Sequence, residues 1–122
     1  MVAPVTPVRI LIVDNNAGIR QSLQLLLEGR GYAVETASTV REGLERVAQS
    51  LMASCFRVVI MDATLPDGSG VELLKTIKRL TPDTTCLVIA AQPQEHPAGS
   101  SDVKPLPIAQ FLEFIQRGLP LG

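Results

Sequence analysis

The chain has 122 residues and a formal net charge of −1, enough length to bury one core without disulfide staples. That charge leaves no electrostatic footprint for nucleic acid or anionic lipid. Apolar runs stay well short of the ~18 residues that span a bilayer, and the N-terminus lacks the charged-then-apolar layout of a signal peptide. A cytoplasmic protein is the expectation.

Met1 to Pro7 holds two prolines and no periodicity and reads as a flexible leader (residues 1–7). Val8 to Val13, aliphatic apart from Arg9, ends at Asp14 in the pattern of a parallel strand buried on both faces. Asn15 and Asn16 offer a helix cap. Ile19, Leu23, Leu26 and Leu27 then recur at helical spacing, and Gly29 and Gly31 end the helix. Tyr32 to Ala37 is a short strand. Ser38 or Thr39 caps the next helix, whose apolar stripe is Val40, Leu44, Val47 and Leu51.

Val58 to Met61 forms a second run buried on both faces and ends at Asp62. The breakers Pro66 to Gly70 follow, and a helix is predicted over Val71 to Leu80, with Leu73, Leu74, Ile77 and Leu80 inward. Cys86 to Ala91 is a further buried strand. Order so far is βαβαβαβ, which argues for a parallel sheet with helices on both faces. Gln92 to Ser101 carries Pro93, Pro97 and Gly99 and reads as loop. Asp102-Val103-Lys104 is at most a vestigial fifth strand. Pro107 suits the first turn of a last helix with Ile108, Phe111, Leu112 and Ile115 inward. One domain over residues 8–118 and a tail or linker start at 119–122 complete the division.

Counted from their strand ends, Cys55 and Cys86 are offset by roughly three residues, about 10 Å, beyond disulfide reach. Buried free thiols are expected. His96, in the proline-rich loop, is expected to be exposed. Gly68-Ser69-Gly70 lacks the further glycines or lysine of a phosphate-cradling loop and reads as a helix-leading turn.

All strand carboxyl ends of a parallel sheet share one edge, so Asp14, Asp62 and Lys104 should converge there. Acids with one ammonium suit a divalent cation and the charge of a phosphoryl group. A carboxylate can itself be the nucleophile and become an aspartyl-phosphate.

At these residues the chain resembles the receiver domain of two-component response regulators, over nearly its whole length. The resemblance rests on ILIVDN (Ile10 to Asn15), VVIMDATLPDGSGVELL (Val58 to Leu74) and VKP (Val103 to Pro105). It implies a flavodoxin-like doubly wound α/β sheet of order 2-1-3-4-5 and a non-enzymatic switch. The family's phosphoacceptor aspartate, loaded by a histidine kinase or phosphotransfer protein, maps to Asp62. Its Mg²⁺-binding acidic pair maps to Asp14 and Asn15, and its metal-binding backbone carbonyl to Thr64. The lysine that pairs with phosphoryl oxygens maps to Lys104, and the Lys-Pro bond, commonly cis in the family, to Lys104-Pro105. An attached or separate output domain and a homodimer are the partners it implies.

Four departures mark the chain as an atypical member. Asn15 stands where the family carries a second acid, which weakens a Mg²⁺ site. Ala90 stands where a Ser or Thr hydroxyl donates to the phosphoryl group, and an alanine side chain donates nothing. Ser101 replaces the switching aromatic. The segment before Lys104 is about eight residues short, roughly the length of the fourth helix, so that helix is expected to be missing or reduced. The alternative is a protein-interaction or dimerisation module that works without phosphorylation. An aspartate-nucleophile phosphatase or phosphotransferase is a weaker fit, since such enzymes place a second carboxylate where Thr64 stands. A flavin-binding domain is weaker still, because aromatics are nearly absent.

Overall fold

The computed structural model describes residues 7–90 and 106–117. Four parallel strands form the body of the sheet: β1 (Arg9–Val13), β2 (Ala33–Ala37), β3 (Val58–Asp62) and β6 (Thr85–Ala90). A two-residue strand, β7 (Leu106–Pro107), completes the order β2-β1-β3-β6-β7. Between β3 and β6 a small antiparallel hairpin joins β4 (Thr64–Leu65) to β5 (Gly68–Ser69). The helices are α1 (Ala17–Glu28), α2 (Val40–Ser50), α3 (Gly70–Leu80) and α4 (Ile108–Arg117).

Strand periodicity divides the apolar runs between two cores. Leu11, Val13, Val59 and Met61 face α2 and α3, where they pack with Val47, Leu73 and Ile77. Ile10, Ile12, Val58 and Ile60 point the other way, onto Leu23 and Leu27 of α1 and Phe111 of α4. Each of these eight strand residues is at most 1% exposed. Burial at roughly 1.5–3 kcal/mol per large aliphatic side chain makes this central pair of strands the main source of stability. An alternating sequence could not fill both cores, which is why the runs are continuous.

Helix entries follow the sequence closely. The Asn16 side chain accepts from the Ile19 amide (3.0 Å), Thr39 from Glu42 (3.1 Å) and Ser69 from Glu72 (3.1 Å). Each thereby satisfies a first-turn amide that lacks an intrahelical partner. At the far end of α1, Gly29 is the cap, and Gly31 takes a positive φ of 92° that favours glycine.

Several expectations are corrected. A two-residue fifth strand pairs Ile89 with Leu106 and Ala90 with Pro107. Pro107 is therefore a strand residue rather than the start of the last helix, tolerated because a two-residue outer strand needs few amide donors. Leu51 (46% exposed) and Leu80 (44%) turn outward. Leu51 caps α2 and Leu80 ends α3, where the stripe has run past the core. Ser50, just before Leu51, is buried instead, its hydroxyl donating to the Val47 carbonyl (2.6 Å). Leu112 is exposed, while Phe111 is fully buried. Both cysteines are free as expected, but Cys55 is exposed and Cys86 half-buried. Asp102 to Lys104, the expected Gln92–Ser101 loop and reduced fourth helix, Lys104-Pro105 and His96 lie outside the described residues.

Candidate acidic site at the carboxyl edge of the sheet

Register builds the site. Val13 stands opposite Met61 in the β1–β3 ladder, so the next step brings Asp14 beside Asp62. The β1–β2 and β3–β6 ladders run on past the strand ends, with Asp14 donating its amide to the Ala37 carbonyl (2.9 Å) and Ala63 to that of Ile89 (2.8 Å). The carboxylates therefore sit on rigid backbone.

Asp14 is only 2% exposed. Its Oδ1 accepts from the Asn16 amide (2.8 Å), which ties the acid to the capping residue of α1. Burial pushes its carboxyl above the usual range and the Asp62 charge adds to this, while the Asn16 amide and the Arg20 guanidinium oppose it. Asp62 is half-buried and likewise raised, chiefly by burial, with the amides of Thr64 and Ala63 pulling the other way. Thr64 donates its amide to Asp62 Oδ1 (3.3 Å).

Two carboxylates pushed toward their neutral forms on one edge are an electrostatic deficit that a divalent cation relieves. The available donors are oxygens: Asp14, Asp62, the exposed Asn15 amide in the β1–α1 loop and the backbone at Thr64. Among the described residues no group of three His, Cys, Asp or Glu side chains gathers around a common point. A hard cation that keeps several waters and uses one or two carboxylates fits this set. Softer metals, which want thiolate or imidazole, do not.

Of the residues singled out in the sequence, the structure brings Asp14, Asn15, Asp62 and Thr64 to this edge. Ala90, 6% exposed, ends β6 there, one residue past the Asp62–Ile89 pair, and brings no hydroxyl. Lys104 and Ser101 lie outside the described residues.

Two further residues bear on the site that sequence reasoning passed over. Arg20 Nη1 donates to the Asp14 backbone carbonyl (2.6 Å), putting a cation from the first turn of α1 beside the acid. Its spacing from Asp14 resembles any wet helix position, so only the fold reveals it. Asp67, at the tip of the β4–β5 hairpin, accepts from the amides of Val40 (2.7 Å) and Arg41 (3.0 Å) at the start of α2. In sequence it was one turn residue among several.

A cavity of about 510 Å³ lies at the opposite, amino-terminal edge of the sheet, lined by residues such as Arg9, Cys55, Phe56 and Thr84. It contains neither Asp14 nor Asp62, so size alone is a poor guide to the chemistry here.

Comparison with protein families matches residues 10–100 to the family described as "Response regulator receiver domain". Response regulator MprA of Mycolicibacterium vanbaalenii is 32% identical over 109 residues, covering 84% of this chain and 46% of that protein. The chain thus spans under half the length of that relative. Among solved structures, a CheY-like receiver domain protein from Methanospirillum hungatei superposes with a TM-score of 0.69 at 30% identity. That match covers 92% of this chain and 93% of the other. A Burkholderia pseudomallei response regulator, described with a phosphorylated aspartic acid, calcium ion and citrate, superposes at 0.64 with 30% identity. It covers 71% of this chain and 49% of that one.

Proposed function

The chain belongs to the response regulator receiver family, and we propose that Asp62 is its phosphoacceptor, in a site that departs from the family pattern at Asn15 and Ala90. One observation carries the reading: Asp62 ends β3 beside buried Asp14, and their paired charge calls for a cation. It stands at the edge of a parallel sheet where ligands bind in this architecture.

Receiver domains are generally signalling modules rather than turnover enzymes, and the reading for this chain is the same. In the transfer, a carboxylate oxygen of Asp62 attacks the phosphorus of a phosphohistidine on a kinase or phosphotransfer protein. The P–N bond breaks, its electron pair stays on the imidazole, and an acyl phosphate forms on Asp62. Mg²⁺, held by Asp14, Asp62, the Asn15 amide and the Thr64 carbonyl, would supply charge neutralisation at the phosphoryl oxygens. The Asn16 amide and Arg20 hold Asp14 in place. Lys104 is assigned as the second cation facing the phosphoryl group.

Asn15 removes one negative charge from the cation site, so binding is weaker than in a three-acid receiver. Ala90 cannot reward phosphorylation with a new hydrogen bond. A ligand shifts a conformational equilibrium only by its differential contacts, so coupling between phosphorylation and shape change is reduced. These two residues support a second reading, a receiver that docks on its output domain, a separate partner or a second copy irrespective of phosphate. Residues 8–118 form the receiver unit, with no role for it in nucleic-acid binding, and a cytoplasmic location is the proposal. No described helix is long and apolar enough to cross a membrane.

Incubation with acetyl phosphate and Mg²⁺, followed by intact-mass measurement, separates the two. Gain of one phosphoryl group, absent in Asp62→Asn, supports the phosphoacceptor. No gain leaves the docking reading. Steady hydrolysis of small phosphate esters, lost in Asp62→Asn, would favour a phosphatase instead.

A further inference from the structure

The first turn of α2 has three amides without intrahelical partners: Val40, Arg41 and Glu42. Gly43 makes the first helical bond, to the Thr39 carbonyl (3.0 Å). Thr39 Oγ1 satisfies Glu42 (3.1 Å). The other two are satisfied by the Asp67 carboxylate, which reaches across 27 and 26 positions to Val40 (2.7 Å) and Arg41 (3.0 Å). Each of these three donors is thereby accounted for, and two of the three acceptors come from the loop that follows Asp62.

That loop is short and fastened at its root. Asp62 Oδ1 accepts from Thr64, the Gly70 amide donates to the Ala63 carbonyl (3.0 Å), and the ladder pairs Thr64 with Ser69 and Leu65 with Gly68. Pro66 and Asp67 are the two-residue turn. A strand of two residues is only about 7 Å long, so displacement at the tip is transmitted to Thr64. Beside Asp67, Gly68 packs so closely on Val40 that an added Cβ would lie 3.1 Å from its Cγ2. Tip and helix form one contact.

We propose that Asp67 is a positioning residue for the Asp62 site: by seating its carboxylate on the Val40 and Arg41 amides it pins the hairpin tip to α2 and fixes the Thr64 segment against Asp62. The negative carboxylate also meets the positive end of the α2 dipole, which makes the contact directional. Asp67 touches neither the cation nor the phosphoryl group. It acts through Thr64. The consequence for cation binding rests on the function proposed above; the consequence for the loop does not.

The test compares Asp67→Ala and Asp67→Asn with Thr39→Ala, which removes a bond from the same helix end but leaves the loop untouched. Thr39→Ala is the control for helix stability alone. Circular dichroism first establishes a temperature at which all variants are folded, with Asp67→Asn standing in should Asp67→Ala not fold. Mg²⁺ half-saturation is then read from amide shifts of Ala63 and Thr64, and hydrogen exchange from Thr64 and Gly70. Asp67→Ala is expected to raise half-saturation about tenfold through misplacement of the loop, with Thr39→Ala within about twofold of wild type. Asp67→Asn, with one acceptor oxygen, falls between. Exchange at Thr64 and Gly70 should quicken in Asp67→Ala and not in Thr39→Ala. Equal effects from the two positions, or no effect from Asp67→Ala, overturn the proposal. If wild-type protein shows no Mg²⁺ shift, the cation reading of the site fails, and the exchange comparison alone decides for or against Asp67.

Discussion

Gly70 lies so close to the backbone of Asp62 that a methyl group at position 70 would overlap the Asp62 carbonyl oxygen. The obstacle is main chain, which cannot rotate away as a side chain could. Residue 70 also opens α3 and donates its amide to Ala63, so the helix start and the acceptor strand share one contact. Gly70→Ala should therefore cost about 1–3 kcal/mol, the range for overpacking, and displace the Thr64 segment. Urea melts check the first effect. Loss of Mg²⁺-dependent amide shifts at Ala63 and Thr64 checks the second.

Raised carboxyl groups make a signed prediction about pH. A carboxyl whose folded-state pKa lies above its unfolded value binds protons more tightly when folded. Its stabilising contribution is complete below the ordinary carboxylate range and is lost as pH rises through the folded pKa. At neutral pH, Asp62 in its charged form thus weighs against the fold, chiefly through its own burial, and its charge also raises the carboxyl of Asp14. Asp62→Asn should melt at a higher temperature than wild type near pH 7, and the difference should shrink as pH falls into the carboxylate range. A constant difference across pH would remove electrostatics as the cause.

The same deficit predicts cation-linked stability. Mg²⁺ binding only the folded chain raises stability by RT ln(1 + [Mg²⁺]/Kd). Thermal melts in rising MgCl₂, with NaCl matched for ionic strength, should shift upward in wild type and stay flat in Asp62→Asn. Asn15→Asp adds a third carboxylate beside Asp14 and should lower the half-saturating Mg²⁺ several-fold. In the absence of cation it should lower the melting temperature, since like charges accumulate.

Phe111 is fully buried against the β1–β3 core from the last helix. Phe111→Ala should cost about 3–5 kcal/mol. That loss, read from denaturant midpoints, would establish that α4 is integral to the fold rather than an appendage.

The sheet was legible in the sequence because its central strands are buried on both faces. Continuous runs such as Ile10 to Val13 and Val58 to Met61 leave little choice of element, and parallel connections then bring Asp14 and Asp62 to one edge. Leu106–Pro107 is the converse case, a strand too short to show a period, whose proline reads as a helix start. Leu51 and Leu80 read as inward because helical spacing repeats past the point where a helix leaves the core; at Leu112 the core-facing position of α4 is taken by its neighbour Phe111. Arg20 and Asp67 could not be found by pattern at all. One depends on where α1 docks, the other on a contact between residues 26 and 27 positions apart.

The proposed phosphoryl group on Asp62 can be trapped chemically. Borohydride reduces an acyl phosphate on aspartate to homoserine and leaves free carboxylates unchanged, so peptide mass mapping after acetyl phosphate and Mg²⁺ treatment locates the acceptor. Homoserine at position 62, dependent on Mg²⁺, is the expected result. Homoserine at Asp14 or elsewhere, or none at any position, would contradict it.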